Sequence, residues 1–305
     1  MSVEAILLGT AQDGGLPQAG CDCARCRAAW QNPAHRRWVA CLGLVDAEAK
    51  KSWLIDATPD FREQLHALYE LAPGCPLSGL LLTHAHTGHY AGLIHLGREA
   101  WNTDHLPAYA STRMAGFLKA HAPWAQLVQR GNLDLHLLVP EEAVALSPRL
   151  RVTPVAVPHR DEQSDTLAFV VQGPRRRLFY CPDIDGWDRW DRDLRTFLSG
   201  IDIALLDGTF AGACELPGRD LGEIPHPLVT DTAERLAWPD GDVRPDIGMD
   251  VRSDIRIDGR SYIRTDVRLI HLNHSNPLNQ PGPEREWLAA RGIGVGARGA
   301  RWRLD

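Results

Sequence analysis

Leu81-Leu-Thr-His-Ala-His-Thr-Gly-His-Tyr90 places three histidines just past a short apolar run. In an extended segment, side chains two apart point the same way, so His84 and His86 can reach one ion. His89 follows where the pattern turns helical and can face the same cavity from another angle. A lone histidine is ordinarily a surface or hydrogen-bonded core residue. Three within six positions at a strand end read instead as a metal-binding cluster.

Further metal-competent side chains end other apolar runs. His159 follows Val152–Val157 and Pro158, Asp183 follows Leu178–Tyr180 through Cys181-Pro182, and His271 follows Val267–Ile270. Strand ends are where α/β sheets carry functional loops, and imidazoles with a carboxylate suit zinc, iron or manganese. Other strand-like runs are Ala5–Leu8, Leu42–Val45, Trp53–Ile55, Leu80–Leu82, Leu167–Val171 and Ile203–Leu206. Helical patterns lie between them: Pro59–Leu71, with Thr58 as N-cap and Pro59 as first helical residue, then Thr87–Leu96, Ser111–Lys119, Asp191–Leu198, Leu228–Leu236 and Pro283–Ala290. The mixture predicts one α/β (or α+β) domain over residues 1–305.

One segment departs from this pattern. From Asp240 to Arg268, seven Asp alternate with six Arg, and Asp258-Gly259 between alternating residues signals a hairpin turn. It is expected to be a charged hairpin insertion at about 240–266, either solvated or serving as a rim or dimer contact. Gly292, Gly294 and Gly296 read as turns, because they lack the strand and helix that flank a phosphate loop.

Composition excludes other classes. At 305 residues, 44% hydrophobic and 24% charged, the chain is ordinary for a globular protein, and its net charge of −6 does not suit tracking a phosphate backbone. The start has no basic region ahead of its apolar run, and no uninterrupted run approaches the ~18 apolar residues of a spanning helix. A cytoplasmic protein is expected, acting on a small molecule, with no nucleic-acid or membrane partner and a homodimer as the one protein partnership considered. Of the seven cysteines, Cys41, Cys75, Cys181 and Cys214 are scattered singly, while Cys21, Cys23 and Cys26 fall within six residues. In a reducing compartment that cluster reads as a metal site rather than a disulfide.

Thr83-His-Ala-His-Thr-Gly-His89 resembles the His-x-His-x-Asp-His signature of the metallo-β-lactamase superfamily, whose later His, Asp and His match His159, Asp183 and His271 in order and strand context. Leu54-Ile-Asp-Ala57 is similar to that family's second-strand motif. The resemblance implies a four-layer αββα sandwich with the metal site at one edge of the paired sheets. A narrower resemblance, to the pyrroloquinoline-quinone biosynthesis B family, rests on Leu8-Gly-Thr-Ala-Gln-Asp-Gly-Gly-Leu-Pro-Gln18, Cys21-Asp-Cys-Ala-Arg-Cys26, Thr58-Pro-Asp-Phe-Arg62, Leu206-Asp-Gly-Thr209, Gly218-Arg-Asp-Leu-Gly222 and His274-Ser-Asn-Pro277. The cysteine cluster is also similar to that of phosphonate-pathway cyclic phosphodiesterases, which implies a structural zinc on Cys21, Cys23, Cys26 and His274.

The departures are specific. The signature's Asp is Gly88 here, leaving His84, His86, His159 and Asp183 for one ion and His89, Asp183 and His271 for a second, with Asp13, Glu162 or Asp185 as compensating carboxylates. The quinone-pathway family lacks the first two histidines and keeps the Asp, so this chain is expected to be a paralogue. Cofactor expectations are one structural zinc and one or two active-site divalent ions, zinc, manganese or iron. The leading expectation is a metal-dependent hydrolase of an ester, phosphodiester, lactone or amide. Asp183 or Asp13 would orient or deprotonate water, and His226 or His271 would steady the developing oxyanion. Asp161 or Glu162 would orient the metal histidines. The alternatives are an iron-dependent oxygenase in cofactor biosynthesis and a non-catalytic carrier.

Overall fold

The structure, a computed structural model, describes residues 2–215, 218, 220, 223–237, 256–257, 260–261 and 265–305. Two seven-stranded mixed sheets face each other. The first runs Arg301–Arg303, Val3–Gly9, Cys41–Asp46, Lys51–Ile55, Leu77–Leu81, Leu106–Ser111, Leu133–Leu138 across its width. The second runs Ile293–Val295, Asp266–Ile270, Ile203–Asp207, Arg177–Cys181, Thr166–Gln172, Arg151–Val157, Val144–Ala145.

The strand sequences explain the layering. Successive strand residues face opposite sides, and these strands are apolar on both. Ala5, Leu7, Trp53 and Ile55 pack between the sheets against Phe169, Leu178, Tyr180 and Leu205. Their neighbours Ile6, Leu8 and Leu54 pack outward, in one core with Phe61 and Leu68 of helix Phe61–Leu71 and Met114 and Leu118 of helix Thr112–Ala120. On the far side, Phe179, Ala204 and Leu206 share a core with helices Leu194–Leu198, Val229–Leu236 and Pro283–Ala289. The result is the αββα sandwich.

All nine strands read from the sequence are present, eight of them extended by one to three residues, while Leu80–Leu82 becomes Leu77–Leu81 and ends one residue earlier. Five more lacked a legible apolar run. Arg301–Arg303 has one apolar residue, and Val144–Ala145 is two residues long. The glycines read as turns flank and interrupt the strand Ile293–Val295, which pairs parallel with Asp266–Ile270. A Cβ on Gly296 would sit 2.8 Å from side-chain atoms of both Ile270 and Leu7, so glycine there serves close approach.

Three helices also differ from expectation, the first being Asp191–Leu198, which starts only at Leu194 with Asp193 as N-cap. The helix expected from Pro59 begins at Phe61 with Asp60 as N-cap. Thr58 Oγ1 instead accepts from Asp60 N at 3.1 Å and donates to Gln64 Oε1 at 2.7 Å. Thr87–Leu96 is an α-helical turn, Thr87–Tyr90, followed by a 3-10 segment, Ala91–Leu96. A Cβ on Gly92 there would collide with the backbone oxygen of Thr58 and stand 2.5 Å from Cβ of Phe61. Most of the charged insertion, with its Asp258-Gly259 turn, lies outside the described residues. The flanking Arg256–Ile257 and Arg260–Ser261 pair antiparallel. Gly218-Arg-Asp-Leu-Gly222 is described only at Gly218 and Asp220.

Candidate metal centre

The strands Val3–Gly9, Lys51–Ile55, Leu77–Leu81, Arg151–Val157, Arg177–Cys181, Ile203–Asp207 and Asp266–Ile270 all end at one edge of the sandwich, and their following loops carry the site. Three side chains come together first. His84 Nε2 lies 2.8 Å from His86 Nδ1, which lies 3.2 Å from His159 Nε2. Asp183 reaches this group, Oδ2 at 3.6 Å from His84 Nε2 and Oδ1 at 3.7 Å from His159 Nε2. A second group, Asp13, His89, Asp183 and His271, shares Asp183 with it. Asp183 Oδ2 is 2.9 Å from His89 Nε2 and 3.3 Å from His271 Nε2.

Each imidazole is held from behind, which fixes which nitrogen faces inward. Thr83 Oγ1 lies 2.9 Å from His84 Nδ1, Asp185 Oδ1 3.1 Å from His159 Nδ1, and Thr209 Oγ1 2.9 Å from His271 Nδ1. Asp56 Oδ2 accepts from His89 Nδ1 at 2.7 Å, while its Oδ1 accepts from Thr83 N at 2.9 Å. His86 is the exception: its Nδ1 faces inward and its Nε2 meets Glu162 at 3.5 Å. Asp56 and His271 sit at φ of 70° and 60°, left-handed backbone that is costly for non-glycine residues.

The electrostatics match a cation site. Burial pushes His84 and His86 down, helped by neighbouring imidazoles, His86 to about 4. Both are thus neutral, with lone pairs free to donate. Burial would raise Asp183, but His271, His159 and His89 hold it well below the usual carboxylate range. Asp13 is held down likewise, against its burial, by hydrogen bonds from His271 and His89. His89 is raised despite burial because Asp56, Asp13 and Asp183 surround it. A divalent ion would displace that proton. His89 Nε2 and Asp183 Oδ2 are both buried without a well-directed hydrogen-bond partner, although they are 2.9 Å apart. Two orphaned polar atoms converging in this way, among neutral imidazoles and ionised carboxylates, fit a bound divalent ion.

Cys21, Cys23, Cys26 and His274 form a separate group. His274 Nδ1 is 3.6 Å from Cys21 Sγ, 3.8 Å from Cys23 Sγ and 3.6 Å from Cys26 Sγ. Cys23 caps helix Ala24–Gln31, accepting from Cys26 N. Burial raises the Cys23 thiol, but that bond and His274 bring it down to about 6, while burial pushes Cys26 up to about 12. The donor set suits a closed tetrahedral zinc site.

His226 lies in the cleft, its ring centroid 5.3 Å from that of His159. Its Nδ1 donates to Asp207 Oδ2 at 2.8 Å. Burial lowers its pKa, yet Asp207, Asp183 and Asp13 raise it above the ordinary value. Asp161 is not an orienter of the metal histidines: it pairs with Arg113 at 3.2 Å on the surface. That role falls partly to Asp185, read from sequence only as a spare ligand. Thr83, Thr209 and Asp207 were missed as supports, although Thr83 and the Leu206-Asp-Gly-Thr209 stretch adjoin the ligands in sequence. Among the described residues, no helix is long and apolar enough to cross a membrane.

Residues 52–238 match the family profile of a beta-lactamase superfamily domain. A coenzyme PQQ synthesis protein B of Azotobacter vinelandii is 30% identical over 96% of this chain and 97% of its own length. One of Pseudomonas fluorescens is 26% identical over 95% and 96%. In fold, the zinc-bound PqqB of Methylobacterium extorquens superposes with a TM-score of 0.76 at 21% identity, covering 98% of this chain and 99% of that one. A diphosphatase of the PhnP family superposes at 0.66 and 21%, covering 99% and 97%. The chain belongs to the beta-lactamase superfamily and, within it, to the coenzyme PQQ synthesis protein B family.

Proposed function

We propose that the chain is a metal-dependent hydrolase, a paralogue within its family that cleaves an ester, phosphodiester, lactone or amide bond of a small molecule. One observation carries the reading: His84, His86 and His159 present three nitrogens to one point, with Asp183 beside them. Those four residues would hold a divalent ion. Such an ion supplies Lewis acidity, polarising the scissile group and acidifying water toward neutrality.

The chain's own groups supply the rest. Asp183, held ionised, lies between the two clusters, where it can orient a water by accepting a hydrogen bond from it. His226, kept protonated by Asp207, donates a proton to the leaving group or steadies a developing oxyanion. Asp185, Thr83 and Glu162 hold the imidazoles from their outer sides. Burial of His84, His89 and Asp183 keeps bulk water from competing for the ligand atoms.

The test is anaerobic turnover of a chromogenic panel (phosphodiester, lactone, thioester and anilide) by zinc- or manganese-loaded protein. At least one class should be hydrolysed, with loss on chelation and in His84→Ala/His86→Ala. Turnover only with iron and oxygen would replace this reading with an oxygenase, and no turnover under either condition would favour a carrier.

A further inference from the structure

We propose that Asp13 is the fourth ligand of a second metal ion, held with His89, Asp183 and His271, taking the place vacated at Gly88. This rests on the metal-hydrolase reading and deepens it.

Geometry makes the case. Asp13 Oδ1 is 3.2 Å from His89 Nε2 and 3.3 Å from His271 Nε2. With Asp183 Oδ2, these ligand atoms all lie within 4.8 Å of one another. His89 Nε2 and Asp183 Oδ2 are the buried, unpartnered atoms of the site, and Asp13 closes the group around them. The other nearby carboxylates are committed elsewhere. Asp56 stands behind His89 and Asp185 behind His159. Asp207 accepts from Ile184 N and His226 through Oδ2, and from Thr209 N and Oγ1 through Oδ1. Glu162 meets His86 on the outer side and is largely exposed.

Gly88 and Asp13 are coupled by space. A Cβ on residue 88 would stand 2.6 Å from Asp13 Cγ and 2.7 Å from its Cα, distances at which backbone must move. A carboxylate on residue 88 and the loop in its present position are therefore mutually exclusive. Glycine at 88 lets the N-terminal loop close over the site and deliver its own carboxylate. Backbone bonds hold that loop there: Gln12 N donates to Leu272 O at 2.9 Å, Leu272 N to Thr10 O at 2.8 Å, and Ala40 N to Ala11 O at 2.8 Å. Leu272 directly follows His271, so one ladder sets the distance between the two ligands. The Cys21, Cys23, Cys26 and His274 group ties the same loop to the same segment further along.

The experiment is metal content by plasma mass spectrometry on full-length protein stripped, reloaded with zinc and desalted. Wild type should hold three equivalents. Asp13→Ala, the near-isosteric Asp13→Asn and Gly88→Ala, whose methyl displaces Asp13, should each hold two, with unchanged circular dichroism. If Asp13→Ala fails to fold, Asp13→Asn and Gly88→Ala decide. Three equivalents in these variants, or two in wild type, overturns the role of Asp13 and leaves the hydrolase reading standing. One equivalent in wild type, on the cysteines alone, overturns both.

Discussion

Asp56 holds His89 from behind, its Oδ2 2.7 Å from Nδ1, and both side chains are fully buried. The same carboxylate takes the backbone and hydroxyl of Thr83, and Thr83 in turn faces His84. One aspartate at a left-handed backbone position thus sets the inward nitrogen of His89 directly and that of His84 through Thr83. Asp56→Asn keeps the shape but loses the charge that fixes the His89 proton on Nδ1. Metal affinity should fall by about 10–100-fold in a chelator competition, as when other supporting partners of metal ligands are removed. Unchanged affinity would mean that the pair is merely a buried ion pair.

His226→Gln should leave metal content intact and lower kcat by about 10²–10⁴-fold, the usual worth of a positioned acid or base. Asp207→Asn should lower kcat in the same direction, because it removes the group that keeps His226 protonated. Steady-state kinetics with parallel metal analysis checks both.

Cys26→Ser or Cys23→Ser should lose one zinc and lower Tm by several degrees, since the four-residue group joins the N-terminal loop to the segment after His271. Thermal unfolding with and without a strong chelator reads this. Arg25 Nη1 donates to Ser275 O at 2.6 Å and provides a weaker tie between the same segments.

Asp193 caps helix Leu194–Leu198, its Oδ1 accepting from Thr196 N at 2.8 Å and Oγ1 at 2.7 Å. These bonds lower its pKa, so its contribution is present above the unfolded value near ~3.9 and is lost as pH falls through the lower folded value. Asp193→Ala should cost about 1 kcal/mol at neutral pH. The gap between variant and wild type should narrow in denaturant titrations as the pH is taken down through the carboxylate range.

Much of this was legible because the chemistry is local in sequence. His84, His86 and His89 share one loop, and strand ends before His159, Asp183 and His271 announce loops at one edge. Doubly buried strands such as Leu178–Tyr180 read plainly as apolar runs. What escaped depends on long-range pairing. Leu133–Leu138 is partly exposed and Arg301–Arg303 is polar, so neither showed an apolar run. The start of helix Phe61–Leu71 was misread because Thr58 bonds Gln64 six residues ahead rather than capping the helix. The juxtaposition of Asp13 with Gly88, 75 positions apart, follows only from the pairing of Thr10 and Ala11 with their neighbours.

On the proposed reading, His84, His86, His159 and Asp183 enclose one cation. A crystal of zinc-loaded protein, with anomalous differences collected on both sides of the zinc absorption edge, tests it directly. A zinc peak is expected at about 2.0–2.2 Å from His84 Nε2, His86 Nδ1 and His159 Nε2, in addition to one on the cysteines. Zinc density at the cysteines alone, with those three histidines turned apart, would contradict it.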